Sequence, residues 1–327
     1  MKLLYHSLFI SFLMILTACG GKTPTNTNEN MSTTPPLPEF NADSAFASIA
    51  RQCAFGPRVL ETEAHEQCGA YIINKFQEYG FTVSKQEATF LRYDGVKMTG
   101  YNIIAQSRPD AAERILIAAH WDSRPWADND PFESNHHTPI LGANDGASGV
   151  AVMIELARIL HDSLPIVGID LVCFDAEDAG APQWETNIDD RSDSWCLGSQ
   201  HWATHPHATG FRFGILLDMV GGQGAYFYRE GYSMQYASSV MEQVWQAARD
   251  AGYGSFFKNE GGGYITDDHL PVNRIARIPM IDIVPFYPTG NSGFGPTCLT
   301  VNDTPENIDR NTLKAVGQTL LQLIYNL

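Results

Sequence analysis

Arg114-Ile115-Leu116-Ile117-Ala118-Ala119-His120 sets five apolar residues in a row between a cation and an imidazole. An alternating pattern would mark a strand with one face in water. An unbroken run marks a strand covered on both faces, as in a parallel sheet held between helices. Downstream, residues 147–161 carry Val150, Met153, Ile154, Ala157 and Leu160 at helical spacing, which predicts an amphipathic helix with that stripe inward. Residues 166–174, 213–220 and 279–285 read as further core strands. Upstream, residues 41–55 and 61–80 read as two helices. The second has Ala64, Cys68, Tyr71, Ile72, Lys75, Phe76 and Tyr79 on one stripe and stops at Gly80. Residues 81–91 and 101–106 read as strands joined around Asp94-Gly95. Thr304-Pro305-Glu306 opens a last helix that runs to about Tyr325, with Thr to cap and Pro in the first turn. The alternation predicts an α/β three-layer sandwich around a mixed, mostly parallel sheet, formed by residues 39–327.

The ends of the chain and its charge narrow the setting. Lys2 precedes a predominantly apolar stretch over residues 3–16, closed by Leu16-Thr17-Ala18-Cys19-Gly20. That is the form of a secretory signal, too short for a comfortable membrane span. Its close resembles a bacterial lipobox, which implies removal of residues 1–19 as signal peptide and lipidation of Cys19; a plain signal peptide with a chance cysteine is the alternative. Residues 20–38 are rich in Thr, Asn, Pro and Gly without an apolar period, and read as a flexible tether. The expected setting is therefore export, with a lipid anchor in a cell-envelope membrane and the domain facing the periplasm or the surface. A formal charge of −16 argues against nucleic acid as partner, which needs a basic surface. Cys173 lies in an apolar run and reads as a buried strand residue, while export allows a disulfide between Cys53 and Cys68.

The polar residues gather where the strands end. His120-Trp121-Asp122 follows the first strand, Asn144-Asp145-Gly146 precedes the helix at 147, Asp175-Ala176-Glu177-Asp178 follows the strand at 166–174, and Asp218 closes the next. Any one of these is ordinarily a cap or a surface carboxylate. In a parallel sheet, however, the carboxyl ends of the strands share one crevice. Carboxylates so crowded repel one another unless a cation or bound protons intervene. Oxygen and imidazole donors together suit a divalent metal, zinc first.

The stretches His120-Trp-Asp-Ser-Arg-Pro-Trp-Ala-Asp128, Gly142-Ala-Asn-Asp-Gly-Ala-Ser-Gly149 and Phe174-Asp-Ala-Glu-Asp178 resemble animal-type glutaminyl cyclases, within the wider zinc aminopeptidase-like superfamily. So do Trp195-Cys-Leu-Gly-Ser-Gln200, Thr266-Asp-Asp-His-Leu-Pro271 and the closing Val301-Asn-Asp-Thr-Pro-Glu-Asn-Ile-Asp309. The resemblance implies one zinc ion, held by Asp145 and Asp178, and a general acid/base at Glu177. It implies supporting carboxylates at Asp218 and Asp267, and a glutamine pocket lined by Trp184 and Phe294. The implied substrates are the amino termini of peptides or proteins, and the implied reaction closes an amino-terminal glutamine to pyroglutamate with release of ammonia. Relatives of this type carry Trp-His before the closing segment, and that His is the third zinc ligand. Here Cys298 and Leu299 occupy those places, and leucine binds no metal. Several alternatives stay open. The metal shifts onto His120, Asp145 and Asp218; Cys298 enters as a thiolate; His269 supplies a nitrogen; or the domain binds peptides without catalysis. An aminopeptidase on the same scaffold is the other enzymatic reading. His136-His137 reads as a solvated loop pair, and His201, His205 and His207 as surface or packing residues.

Overall fold

In the computed structural model the described residues are 37–186, 192–289 and 293–327. The signal segment 1–19, Cys19 and all but the end of the tether lie outside them. The chain runs through α1 (Ala42–Cys53), α2 (Glu63–Glu78), β1 (Thr82–Leu91), β2 (Lys97–Gln106), β3 (Arg114–His120), α3 (Ala147–Asp162) and β4 (Gly168–Phe174). It continues through α4 (Leu197–Thr204), β5 (Phe211–Leu217), β6 (Phe227–Arg229), α5 (Gly231–Asp250), β7 (Phe257–Gly261), the short α6 (His269–Pro271), β8 (Met280–Ile283) and α7 (Arg310–Tyr325). The main sheet has the order β1-β2-β4-β3-β5-β8. The first three strands pair antiparallel, and β4, β3, β5 and β8 are parallel. This is the expected mixed, mostly parallel sandwich.

β3 explains why its sequence is unbroken. Ile115, Ile117 and Ala119 pack into the large core shared with α1, α2, α3, α5 and α7. Leu116 and Ala118 point the other way, toward Trp202 of α4 and Val272 and Ile278. Alternate side chains of a strand face opposite sides, so both sides must be apolar. Where α3 crosses the sheet it carries Gly149, at which a Cβ would overlap Leu217 O and Ala119 Cβ. The helix therefore lies directly on the backbone of β5 and against β3. Among the described residues no helix is long and apolar enough to cross a membrane.

Four expectations differ from the structure. β2 begins at Lys97 because β1 pairs with it along its whole length, Leu91 opposite Lys97. β5 ends at Leu217, since Met219 turns the backbone left-handed (φ 50°) and Asp218 leaves the sheet. The last helix begins at Arg310. Thr304-Pro305 opens only a single 3-10 turn without a side-chain cap, and Asp309 caps α7 by accepting from Asn311 N. Cys53 and Cys68 are separate buried thiols rather than a disulfide. The Cys53 Sγ turns toward Leu141 O, 3.9 Å away. Burial pushes the two thiols up to about 11 and about 12.

Candidate active site

The carboxyl end of β3 delivers His120, which is 2% exposed. Its Nδ1 lies 3.3 Å from Asp122 Oδ1. The Asp122 carboxylate also accepts from Glu177 N (3.2 Å) and Asp178 N (3.1 Å), tying the end of β4 to the end of β3. With Nδ1 turned to Asp122, His120 Nε2 faces Asp145 Oδ1 at 2.9 Å and Asp218 Oδ1 at 3.3 Å. Neither approach has hydrogen-bond geometry: His120 Nε2, Asp218 Oδ1 and Asp178 Oδ2 are buried without a hydrogen-bond partner.

Loops that meet from distant parts of the chain hold these groups in place. Asp303 accepts from Asn144 N (2.8 Å) and Asp145 N (3.0 Å), fixing the turn before α3. Arg124, fully buried, makes a two-pronged pair with Asp128 (2.6 and 2.5 Å) and donates to Asp178 O (3.0 Å). Its guanidinium also stacks 4.4 Å from the Trp195 ring. The Cys196 thiol donates to Glu177 Oε1 at 3.3 Å.

Crowding shows in the protonation of these groups. Burial lowers the His120 imidazole, but the carboxylates of Asp122, Asp145 and Asp218 outweigh it and hold the ring well above its usual range. Burial and the neighbouring Asp178 push the Glu177 carboxyl well up. Burial and Asp145 do the same to Asp178. Burial raises Asp218, with Asp145 adding to it and His120 opposing. Burial and Asp218 carry Asp267 up to about 7. An acidic cluster in this state is short of positive charge.

The donor set fits a cation. Ligand atoms of His120, Asp145 and Asp218 lie within 4.8 Å of one another, as do those of His120, Glu177 and Asp178. One buried nitrogen and several buried oxygens without partners, aimed at common points, are what zinc accepts. A cavity of about 720 Å³ opens beside them. Asp145, Glu177, Asp178, Asp218 and Asp267 line it together with Met219, Ile265, Phe294, Cys298 and Leu299, which pack into one apolar cluster. Among the described residues no Lys or Arg lines the cavity, so the field of those residues favours a cationic group.

The structure thus brings together His120, Asp145, Asp178 and Asp218, and sets Glu177, Asp267 and Phe294 around the same cavity. Trp184 is not among the lining residues. It is 40% exposed and packs against Trp126, His136 and His137, with ring centroids 6.0, 6.1 and 4.6 Å away. His137 is exposed as expected, whereas His136 is half-buried with Nε2 on Asp130 O at 2.8 Å. Asp175 turns away from the cavity to His65 (2.9 Å) and Tyr101 N (2.8 Å). Cys298 belongs to none of the donor clusters among the described residues, and burial pushes its thiol well up. Leu299 sits in the apolar cluster with a left-handed backbone, φ 53°. Its carbonyl accepts from Asn129 N (3.1 Å), and Cys298 O accepts from Asn129 Nδ2 (3.3 Å). Asp122, Arg124, Cys196 and Asp303 all lie within stretches quoted from the sequence, but no supporting role is read for them there. Asp122 is also grouped with His120 at the end of the first strand.

A mostly parallel sheet with His and carboxylate donors at its strand ends defines an α/β protein of the zinc exopeptidase type. Residues 102–324 match the model of peptidase family M28, and the chain belongs to that family. It is similar to the glutaminyl cyclase of Bacteroides thetaiotaomicron, solved with N-acetylhistamine (51% identity, TM-score 0.86, 89% of this chain and 99% of that one). It is also similar to a Zn-dependent exopeptidase of Parabacteroides distasonis (49% identity, TM-score 0.87, 89% and 100%). Among curated proteins, glutaminyl-peptide cyclotransferase of Bos taurus is 29% identical over 255 residues, 67% of this chain. The match spans 64% of the bovine protein's length.

Proposed function

We propose that the chain is a glutaminyl-peptide cyclotransferase acting on amino-terminal glutamine of peptides or proteins, and that it works with a reduced zinc donor set. Glu177 carries the reading: it is a buried carboxyl on the same cavity as the metal donors Asp145, Asp178 and Asp218. The acidic lining of that cavity attracts the substrate's α-amino group, which gives its extra proton to solvent and reacts as the neutral amine. Glu177 takes a proton from this nitrogen as it bonds to the γ-carbonyl carbon of its own glutamine. The proton then goes to the departing amide nitrogen as the old C–N bond breaks and ammonia leaves. A carboxyl raised by burial and Asp178 can hold a proton between those two acts. Zinc, when bound, supplies Lewis-acid polarisation of the carbonyl. Asp218 and Asp267 support Glu177, and Phe294 packs the glutamine side chain. Asp145, Asp178 and His120 would hold the ion, with Asp218 drawn in because Leu299 offers no donor. The expected consequence is weak zinc binding and slow turnover.

A second reading, an aminopeptidase, is favoured by one observation: His120 belongs to two adjoining donor clusters, and hydrolases of this kind use two metals. Peptides beginning with Gln or Leu separate the readings, through ammonia release in one case and loss of a residue in the other. Glu177→Gln is expected to lower cyclisation by roughly 10²–10⁴-fold, and Leu299→His to raise both zinc affinity and turnover. Trimming of the Leu peptide without cyclisation would replace the first reading with the second. Silence on both peptides, with Leu299→His also silent, would leave a binding module.

We also infer export and anchoring through lipidated Cys19, supported by residues 1–38 of the sequence alone. Cys19→Ala should move the chain from the membrane fraction to the soluble one; no movement would sink the idea.

A further inference from the structure

Beside the cavity, and reaching it through Asp267, a second set of charged groups is buried. Glu230, Asp267, Asp268, His269 and Asp282 are all at most 4% exposed. Among the described residues, no Lys or Arg is hydrogen-bonded or ion-paired to any of them. Four carboxylates around one imidazole, without a basic partner, is an arrangement that protein interiors avoid unless something else supplies positive charge.

We propose that Asp267, His269 and Asp282 form a second cation site, separate from the one at His120 and suited to a zinc-like divalent ion. One ligand atom from each lies within 4.8 Å of the others. Asp267 Oδ2, His269 Nδ1 and both oxygens of Asp282 are buried without a hydrogen-bond partner. The imidazole lies between two carboxylates. His269 Nε2 stands 3.2 Å from Glu230 Oε2. Glu230 is itself pinned by Tyr232 N (2.8 Å), Ser233 N (2.6 Å), Ser233 Oγ (2.7 Å) and Ile265 N (3.1 Å). The contact between His269 and Glu230 lacks hydrogen-bond geometry, so both ring nitrogens of His269 are buried without a hydrogen-bond partner, Nε2 beside Glu230 and Nδ1 facing Asp282. A carboxylate beside the non-ligating nitrogen of an imidazole is a common companion of metal-binding histidines. The gap from Nδ1 to Asp282 Oδ2 is 3.9 Å, too long for a hydrogen bond. Two atoms each about 2.0–2.2 Å from a shared tetrahedral ion stand about 3.3–3.6 Å apart, so the pair lies a few tenths of an ångström wider than a closed site. Asp268 adds negative charge beside the set. Access exists on both sides of Asp267, which lines the main cavity and a smaller one of about 220 Å³ shared with Cys196, Thr266 and Leu270.

The inference does not depend on the proposed cyclase activity, and its test reads metal rather than turnover. The full chain carrying Asp145→Ala, which cripples the His120 site, is stripped with chelator, dialysed against zinc and analysed for metal. The expected result is near-stoichiometric zinc in Asp145→Ala, with affinity at least tenfold weaker once Asp282→Asn or His269→Gln is added. Circular dichroism checks that each variant folds. No zinc in Asp145→Ala, or zinc unaffected by the second substitution, overturns the site. Should the double variants fail to fold, anomalous diffraction at the zinc edge on Asp145→Ala crystals decides. A peak between Asp267, His269 and Asp282 supports the proposal, and a peak elsewhere or none overturns it.

Discussion

Both ends of β3 bury an ionisable side chain, and they treat it in opposite ways. At the amino end Arg114 is 1% exposed and fully occupied. It meets Asp170 at 2.7 and 3.0 Å, and donates to Pro109 O (3.1 Å), Ala111 O (2.8 Å) and Arg108 O (2.6 Å). Asp170 in turn takes His207 Nε2 at 2.9 Å. Six residues on, His120 is just as buried, yet Nε2 has acidic neighbours and no hydrogen bond. A buried charge whose every partner belongs to the chain is part of the scaffold. A buried donor set left incomplete beside a cavity is reserved for a ligand the chain does not itself contain.

Substitutions can press on that contrast. Asp170→Ala strips Arg114 of its counter-charge and should cost about 3–5 kcal/mol of stability in urea unfolding. A loss under 1 kcal/mol would mean that the amino-end network is no scaffold. Next in size is the response to metal. Zinc at a hundredfold excess over its dissociation constant should stabilise the wild type by about 2.7 kcal/mol, read as a rise in melting temperature. Asp145→Ala should remove the part of the rise that comes from the His120 site, and an unchanged rise would place the ion elsewhere. The smallest effect belongs to Asp178→Asn in metal-free protein. Asp178 is as buried as Asp170, but burial and Asp145 already push its carboxyl toward the neutral form. Stability within about 1 kcal/mol of wild type is therefore expected. A drop as large as that of Asp170→Ala would erase the distinction between the two ends.

How much of this could be read from sequence depended on how local the cause was. β3, β4 and α3 were legible because burial imposes unbroken or periodic apolar runs on them. The two-stranded pair β6–β7 and the 20-residue α5 were not. β6 is three residues long, and α5 is polar along much of its length and breaks helical geometry at Ala237 (φ −143°). The residues expected to converge, His120, Asp145, Asp178 and Asp218, could be named because the ends of parallel strands must meet. Their supports could not. Asp303 reaches Asp145 across 158 residues, and Cys196 reaches Glu177 through a left-handed turn (φ 57°). No spacing along the chain announces either contact. Trp184, whose place was inferred from resemblance, packs here against His136 and His137, contacts that no spacing announces.

Gly149 gives the metal donors a mechanical tolerance. α3 follows directly from the turn that carries Asp145, and at Gly149 it rests on Ala119 and Leu217, the residues just before His120 and Asp218. The spacing between three donors is thus gauged by a contact to which the helix contributes no side chain. A single methyl there would act as a shim, lifting the helix by something like half the length of a metal–ligand bond of about 2 Å. Position 149 is a set-screw for the site, able to detune it without ever meeting ion or substrate.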